Sequence, residues 1–361
     1  MDLQAYIGKS VDAVPTPALV VDVVGLEANL KLLADYFAGR PAKLRPHFKS
    51  HKCVTLARRQ LAAGSAVGIT CAKLAEAEVL VAGGVTDVLI ANQVVTQAKA
   101  RRLAALNRRA TVRSAVDSPV NVAELGAAAR EAGVEIGVLI EVDLGMKRSG
   151  VAPGAATLEL ARRVAATPGL RCDGLQGYEG HLVTLPDLDE RRRKTVAAMT
   201  ELVQCRELLE THGLPCRIVS GGGSGTYDIT GNLAGVDEIQ AGSYALMDAS
   251  YHKIRPEFVC CRWVVATVIS ATAGRAVADV GTKGMGCDFG TPRVLEFPTA
   301  EIPYVAEEHT PLWNVSATVG QRLRLIPSHG CTTNNLHRRL WIVRDGLVED
   351  LWPIEGSGCL E

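Results

Sequence analysis

The 361 residues carry 39 Lys+Arg and 39 Asp+Glu, a formal net charge of zero, with 47% hydrophobic and 22% charged residues. This is the balance of a packed globular chain, and it excludes extended disorder and disfavours a nucleic-acid-binding surface. No apolar run reaches the roughly 18 residues of a membrane span, and the opening MDLQAYIGKSVDAVPTP lacks the basic-then-apolar plan of a secretory signal.

From residue 18 onward, short apolar runs alternate with helical patterns. PALVVDV (17–23), KLRPHF (43–48), VGITCA (67–72), DVLIAN (87–92), TVRSAV (111–116), EIGVLIEVD (135–143), LRCDGLQGY (170–178), CRIVSGG (216–222) and VDEIQAG (236–242) read as buried strands. Helices are expected at 26–37, 53–64, 73–84, 97–109 and, longer, near 188–212. Eight or nine such units predict an α/β fold, a (β/α)8 TIM-like barrel over 18–250. An open doubly wound sheet would show a glycine fingerprint after the first strand, where VVDVVGLEANL has a single Gly. After residue 250 the pattern alternates, with turn signals at TAGR and RDG, so 251–361 reads as a β-domain joined by 1–17. Ten cysteines without a CxxC pair suit small core thiols in a reducing, cytoplasmic compartment.

Five segments could carry chemistry. RPHFKSHK (45–52) sets Lys49 at the C-terminal end of the second strand, the end where barrels hold their active sites. A lysine there can capture an aldehyde as an imine, and Arg45, His47, His51 and Lys52 are expected to surround it and depress its pKa; the alternative is a solvated basic strand end. SGGGSGTYD (220–228) offers backbone N–H groups and the hydroxyls of Ser224 and Thr226 to a phosphate at a helix N-terminus, or is a plain flexible turn. In IEVDLGMKRSG (140–150), Arg148 could meet a phenolate or a carboxylate, though a surface loop explains it too. In QGYEGH (176–181), Tyr178 could pack on a ring and His181 could move protons near neutral pH, or both could be structural.

In PSHGCTTNNLH (327–337), His329 and Cys331 are spaced i, i+2 and would share one face of a strand. Imidazole plus thiolate suits a transition metal such as zinc, against the bland reading of a buried Cys beside an unrelated His. His337 and the run Glu307, Glu308, His309 are weaker candidates.

A lysine on an early barrel strand, a late glycine loop and a C-terminal β-domain together resemble the alanine-racemase-like, fold-type III pyridoxal-phosphate enzymes. LGMKRSG is similar to their arginine motif and VDEIQAGSYALMD to their tyrosine motif. RPHFKSHK, GGGSGT, QAGSYALMD, EEHTPL and PSHGCTTNNLH resemble the D-threonine aldolase and D-serine dehydratase group, over almost the whole chain. The resemblance implies pyridoxal 5'-phosphate on Lys49. Gly222, Gly223, Ser224, Gly225, Thr226 and Tyr244 would hold its phosphate, Arg148 would face its phenolate oxygen, and Tyr178 would lie beside its ring. His329 and Cys331 would hold a divalent metal (Zn, Mn or Mg) next to the substrate hydroxyl.

The His-x-Cys pair resembles the dehydratases, whereas QAGSYALMDASY, KGMGCDFG and LHRRLWIVRDGLVEDLW resemble the aldolases. The expected activity is cleavage of the Cα–Cβ bond of a 3-hydroxy-D-amino acid, with His181 or a metal-bound hydroxide as base. Elimination of water from D-serine or 3-hydroxy-D-aspartate is the alternative, and a racemase or a non-catalytic coenzyme-binding protein stands further off. The resemblance also implies a homodimer, with a small-molecule substrate as the only other partner.

Overall fold

The computed structural model describes residues 2–361. They divide into two compact units: 33–49 with 57–242 and 359–361, and 2–32 with 50–56 and 243–358. In chain order, the elements as far as the end of the parallel sheet are β1 (Ala18–Asp22), α1 (Val23–Phe37), β2 (Lys43–Leu44), α2 (Val54–Ala62), β3 (Ile69–Cys71), α3 (Leu74–Ala82), β4 (Asp87–Gln93), α4 (Gln97–Leu106), β5 (Thr111–Val116), α5 (Pro119–Ala132), β6 (Ile136–Glu141), α6 (Ala155–Ala165), β7 (Leu170–Gly177), α7 (Leu188–Thr211), β8 (Ile218–Gly221), α8 (Tyr227–Thr230) and β9 (Glu238–Ile239). Then come α9 (Ala249–Ile254), β10 (Arg262–Thr272), β11 (Arg275–Ala278), β12 (Arg293–Val294), β13 (Thr310–Trp313), β14 (Arg322–Ile326), α10 (Gly330–Leu336), β15 (Arg339–Arg344) and β16 (Leu347–Pro353).

Eight of the nine predicted runs supply the strands of one sheet, ordered β2-β9-β8-β7-β6-β5-β4-β3 and parallel throughout. Single parallel bridges, Leu44 to Ala66 and His47 to Thr70, join the two remaining edges, so the sheet closes into the expected barrel. The strands are apolar runs because they are covered on both sides; every residue of β6 is buried. Local signals start and stop the helices. Ser118 accepts from the Asn121 N–H, Pro119 occupies the first turn of α5, and Gly133 ends it at φ 65°. Asp187 caps α7 in the same way, accepting from Glu190.

An ion network fills the opposite end of this barrel from the strand C-termini. Arg45 donates to both oxygens of Glu238 and to Asp87, Arg113 bridges Asp87 and Asp173, and Arg171 adds Asp173 and Glu135. Glu238, Asp87, Arg113, Asp173 and Arg171 stand on strands, Arg45 just after β2 and Glu135 just before β6, so the network ties neighbouring strands by charge where the apolar layers end.

The ninth run departs from expectation. β1, predicted to open the barrel, is instead a strand of the second unit's sheet, ordered β12-β14-β10-β1-β15-β16, where it runs antiparallel to β10 and parallel to β15. Leu19, Val20 and Val21 are fully buried there. A continuous apolar run is satisfied equally well in the middle of either sheet, so periodicity alone does not choose between them. The two predicted turns are present: Thr272 pairs with Arg275 across TAGR, and Arg344 with Leu347 across Asp345 (φ 50°) and Gly346 (φ 78°). Positive φ at both central residues matches the right-handed strand twist.

Candidate functional site

In the barrel unit the predicted residues gather around one ring. The Lys49 Nζ lies 5.9 Å from the centre of the Tyr178 ring, and the Arg148 guanidinium carbon lies 5.5 Å from it. The glycine loop comes to the same ring: a Cβ built at Gly223 would stand 3.6 Å from Tyr178 Cε2. The loop from Gly222 to Thr226 is buried throughout. Gly222 has φ 70°, and a Cβ at Gly225 would overlap the Val183 carbonyl oxygen, so the backbone passes where no side chain fits. An amine, an aromatic face, a cation and a glycine-lined cradle fit an aromatic aldehyde bearing a phosphate.

Several expectations are corrected here. Arg45 does not serve as a bare cation for Lys49, because Glu238 and Asp87 neutralise it. His47 Nδ1 accepts the Lys49 backbone N–H at 3.4 Å, and in the second unit His51 Nδ1 accepts from Cys53 while the Lys52 amine donates to Gly356. The helix after the glycine loop, α8, is a single turn, so it brings little macrodipole to an anion. Within the loop, the Gly222 N–H donates to Glu179, the Gly223 N–H to the Thr226 hydroxyl, and the Thr226 N–H to the Gly223 carbonyl.

Arg148 meets a carboxylate of its own chain, with Nη2 3.6 Å from Glu141 Oε1. Glu141 ends β6 and accepts from Gln93, Gln176 and Ser149. Burial pushes its carboxyl up, against the pull of Arg148. His181 is exposed, with its ring beside Gly145.

In the second unit, Tyr244 is fully buried in the turn Ser243–Ala245, its ring 5.9 Å from that of Phe258. His329 and Cys331 do not lie on a strand. β14 ends at Ile326, His329 caps α10, and Cys331 falls in its first turn. The two side chains meet through helix-cap geometry rather than strand alternation. Gly330 between them has no room for a Cβ beside the Arg262 guanidinium, and its N–H donates to Asp248.

Asp288, absent from the predicted set, accepts from His329 Nδ1 at 2.5 Å and from the Thr332 hydroxyl at 2.7 Å, and Phe289 stacks on the imidazole with centroids 4.0 Å apart. Burial alone would lower the His329 pKa, but Cys331 and Asp288 outweigh it and raise it to about 9. With Nδ1 turned to Asp288, the Nε2 edge is the one suited to a cation, and imidazole with thiolate is a zinc-type donor pair. Among the described residues, no group of three or more His, Cys, Asp or Glu side chains could hold a metal.

Three of the weaker candidates have partners within the chain. Glu307 and Glu308 both reach Lys283 at the surface, and His337 Nε2 bonds the Gly284 carbonyl. None of the ten cysteines forms a disulfide; burial pushes Cys172 and Cys260 up to about 11 and Cys216 to about 12, as expected of inert core thiols.

The chain matches the model of the alanine racemase N-terminal domain over residues 21–250, and that of a putative serine dehydratase domain over 262–343. It is 35% identical over 370 residues to 3-hydroxy-D-aspartate aldolase of Paracoccus denitrificans, covering 99% of this chain and 96% of that one. It is 37% identical to D-threonine aldolase of an Arthrobacter species, covering 98% of this chain and 96% of the relative. The solved D-threonine aldolase of Filomicrobium marinum superposes with a TM-score of 0.97 at 38% identity, over 100% of both chains. The first unit's barrel and the second unit's sheet are thus those of the alanine-racemase fold, and the chain belongs to the family of pyridoxal-phosphate lyases of that fold that act on 3-hydroxy-D-amino acids.

Proposed function

We propose that the chain is an aldolase that cleaves the Cα–Cβ bond of 3-hydroxy-D-amino acids, taking D-threonine to glycine and acetaldehyde. The observation that carries this reading is the placement of the Lys49 amine and the Arg148 guanidinium over the Tyr178 ring, beside the buried glycine loop.

Lys49 holds the coenzyme aldehyde through its amine. The loop Gly222, Gly223, Ser224, Gly225, Thr226 holds the phosphate, with Tyr244 as a further donor, and Arg148 faces the phenolate oxygen. When bound, pyridoxal phosphate supplies a ring that accepts the electron pair left on Cα. His329 and Cys331 hold a divalent ion (zinc by the softness of the thiolate, with manganese and magnesium as the harder alternatives) whose charge favours loss of the substrate's 3-hydroxyl proton. His181 accepts that proton on a ring nitrogen and, being exposed, returns it to water. The substrate's Cα–Cβ bond would break, with Cβ leaving as the aldehyde and Cα taking a proton back from water to give glycine.

Cys331 supports a second reading. A histidine–thiolate pair and the match to a serine dehydratase domain suit elimination instead. There Lys49 would take the Cα proton, the 3-hydroxyl would leave as water, and hydrolysis of the resulting enamine would give a 2-oxo acid and ammonia. Incubation with D-threonine separates the two: acetaldehyde and glycine support the aldolase, 2-oxobutanoate and ammonia the dehydratase. Purified protein is expected to absorb as a lysine-bound coenzyme, and Lys49→Ala to lose that band. A borohydride-reducible bond retained in the variant would refute the assignment of Lys49.

The working form we read is a cytoplasmic homodimer. Ten cysteines without a disulfide suit a reducing compartment, and no helix among the described residues is long and apolar enough to cross a membrane. Sedimentation of the holoenzyme tests the dimer.

A further inference from the structure

We propose that Glu179 is a positioning residue that shapes the phosphate cradle from behind. This inference rests on the coenzyme reading above. Glu179 follows Tyr178 at the end of β7 and is completely buried. One carboxylate oxygen accepts the Gly222 N–H at 3.2 Å. The other accepts the hydroxyls of Thr226 at 2.8 Å and Thr230 at 2.7 Å. A buried carboxylate needs such donors, and here all three come from the glycine loop and the turn after it.

The consequence follows from counting hydrogens. A threonine hydroxyl has one proton to give. Thr226 gives its proton to Glu179 and turns its lone pairs to the Gly223 N–H at 3.2 Å. Glu179 therefore commits the Gly222 amide directly and the Gly223 amide through Thr226. It fixes the course of a loop that has no side chains of its own to hold it at Gly222, Gly223 and Gly225. An acid this close to an anion site opposes the anion by charge, so its use is to hold the loop in shape rather than to bind. Thr226 therefore offers the cradle no hydroxyl proton, and its N–H is given to the Gly223 carbonyl. The ring side of the site is built by Lys49, Tyr178 and Arg148, none of which is a partner in these three bonds.

The test separates phosphate from ring. Apo-protein is titrated with pyridoxal 5'-phosphate and, separately, with pyridoxal, which lacks the phosphate, following the absorbance of the lysine adduct. For Glu179→Ala and Glu179→Gln, affinity for the phosphorylated form is expected to fall by about tenfold or more, as for buried donors left unsatisfied, while affinity for pyridoxal changes by less than about threefold. Thr230→Val removes one donor at a residue outside the loop and keeps the side chain's shape, and is expected to show a smaller loss with the same selectivity; Thr230→Ser should restore wild-type binding. That pair carries the test if the Glu179 variants do not fold. Equal losses for both vitamers would mark a merely structural residue and overturn the inference. Tighter binding of the phosphorylated form by Glu179→Gln would overturn it as well, since charge repulsion would then outweigh loop shaping. Wild-type protein that binds both vitamers equally well would remove the cradle but leave Lys49 in place. Wild-type protein that binds neither would remove the coenzyme reading and this inference together.

Discussion

Arg45 grips Glu238 through two bonds of 2.7 Å, Nε to Oε2 and Nη2 to Oε1, with both side chains almost wholly buried. In the sequence, Arg45 stands four residues from Lys49 and reads as one of the cations that would depress its pKa. In the barrel it faces the other way, as a strut between β9 and the segment after β2.

Removing that strut strands a charge. Arg45→Met leaves Glu238 buried without its partner and is expected to cost about 3–5 kcal/mol, read as a lower urea midpoint with an unchanged slope. Arg45→Met with Glu238→Met removes both charges and should recover most of the loss. A single variant within about 0.5 kcal/mol of wild type, the range of ordinary surface changes, would show that the pair contributes little.

Asp173 makes the same network pH-sensitive. Burial alone would raise its carboxyl, but hydrogen bonds from Arg171 and Arg113 hold it below its usual value. A carboxyl depressed in the folded state adds stability that is full above its unfolded pKa of about 3.9 and is lost as pH falls through the folded value. Wild type should therefore lose melting temperature steeply below about pH 4. Asp173→Asn should melt lower at neutral pH, and its deficit should shrink as the solution is acidified. A deficit that stays constant from pH 7 to acid would contradict this origin.

Asp288 is expected to tune the ion held by His329 and Cys331. It orients the imidazole through Nδ1 but is itself substantially exposed, so losing it should barely alter folding. Asp288→Ala should weaken metal binding about 10–100-fold in a chelator competition, at near-constant melting temperature of the metal-free protein. His329→Ala should abolish tight binding. Unchanged affinity in Asp288→Ala would leave the aspartate as a surface cap only.

Two glycines of the loop should respond oppositely. Gly225→Ala places a methyl group on the Val183 carbonyl and should destabilise by roughly 1–3 kcal/mol, with loss of coenzyme. Gly223→Ala meets only ordinary contacts, the Tyr178 ring among them, and should fold as wild type does. Equal thermal stability of the two variants would refute the packing described.

Pattern carried much of this protein. Eight apolar runs between helical stretches specify a parallel barrel, because strands covered on both faces must be apolar along their length. The Asp-Gly turn at 345–346 is local chemistry, legible wherever it occurs. Lys49 and the glycine loop stood out as candidates because strand ends and glycine runs have a place in a barrel, whereas the roles expected of Tyr178 and Arg148 came from the family resemblance. The helix after His329 was missed: α10 is seven residues long, too short for a helical period to show. Glu179 and Asp288 were missed because a lone acid has no spacing that distinguishes a buried acceptor from a solvated charge.

What residue order alone determined was which segments hide from water and which turn, since burial and backbone freedom are properties of short stretches. Which sheet claims β1, which way Arg45 points, and which acids stand behind the glycine loop and His329 were decided only by tertiary structure. Each of those depends on a partner 40 or more residues distant, Asp87 being 42 from Arg45, Gly222 43 from Glu179 and His329 41 from Asp288. Charge and hydrogen-bond geometry act only once folding has closed those distances.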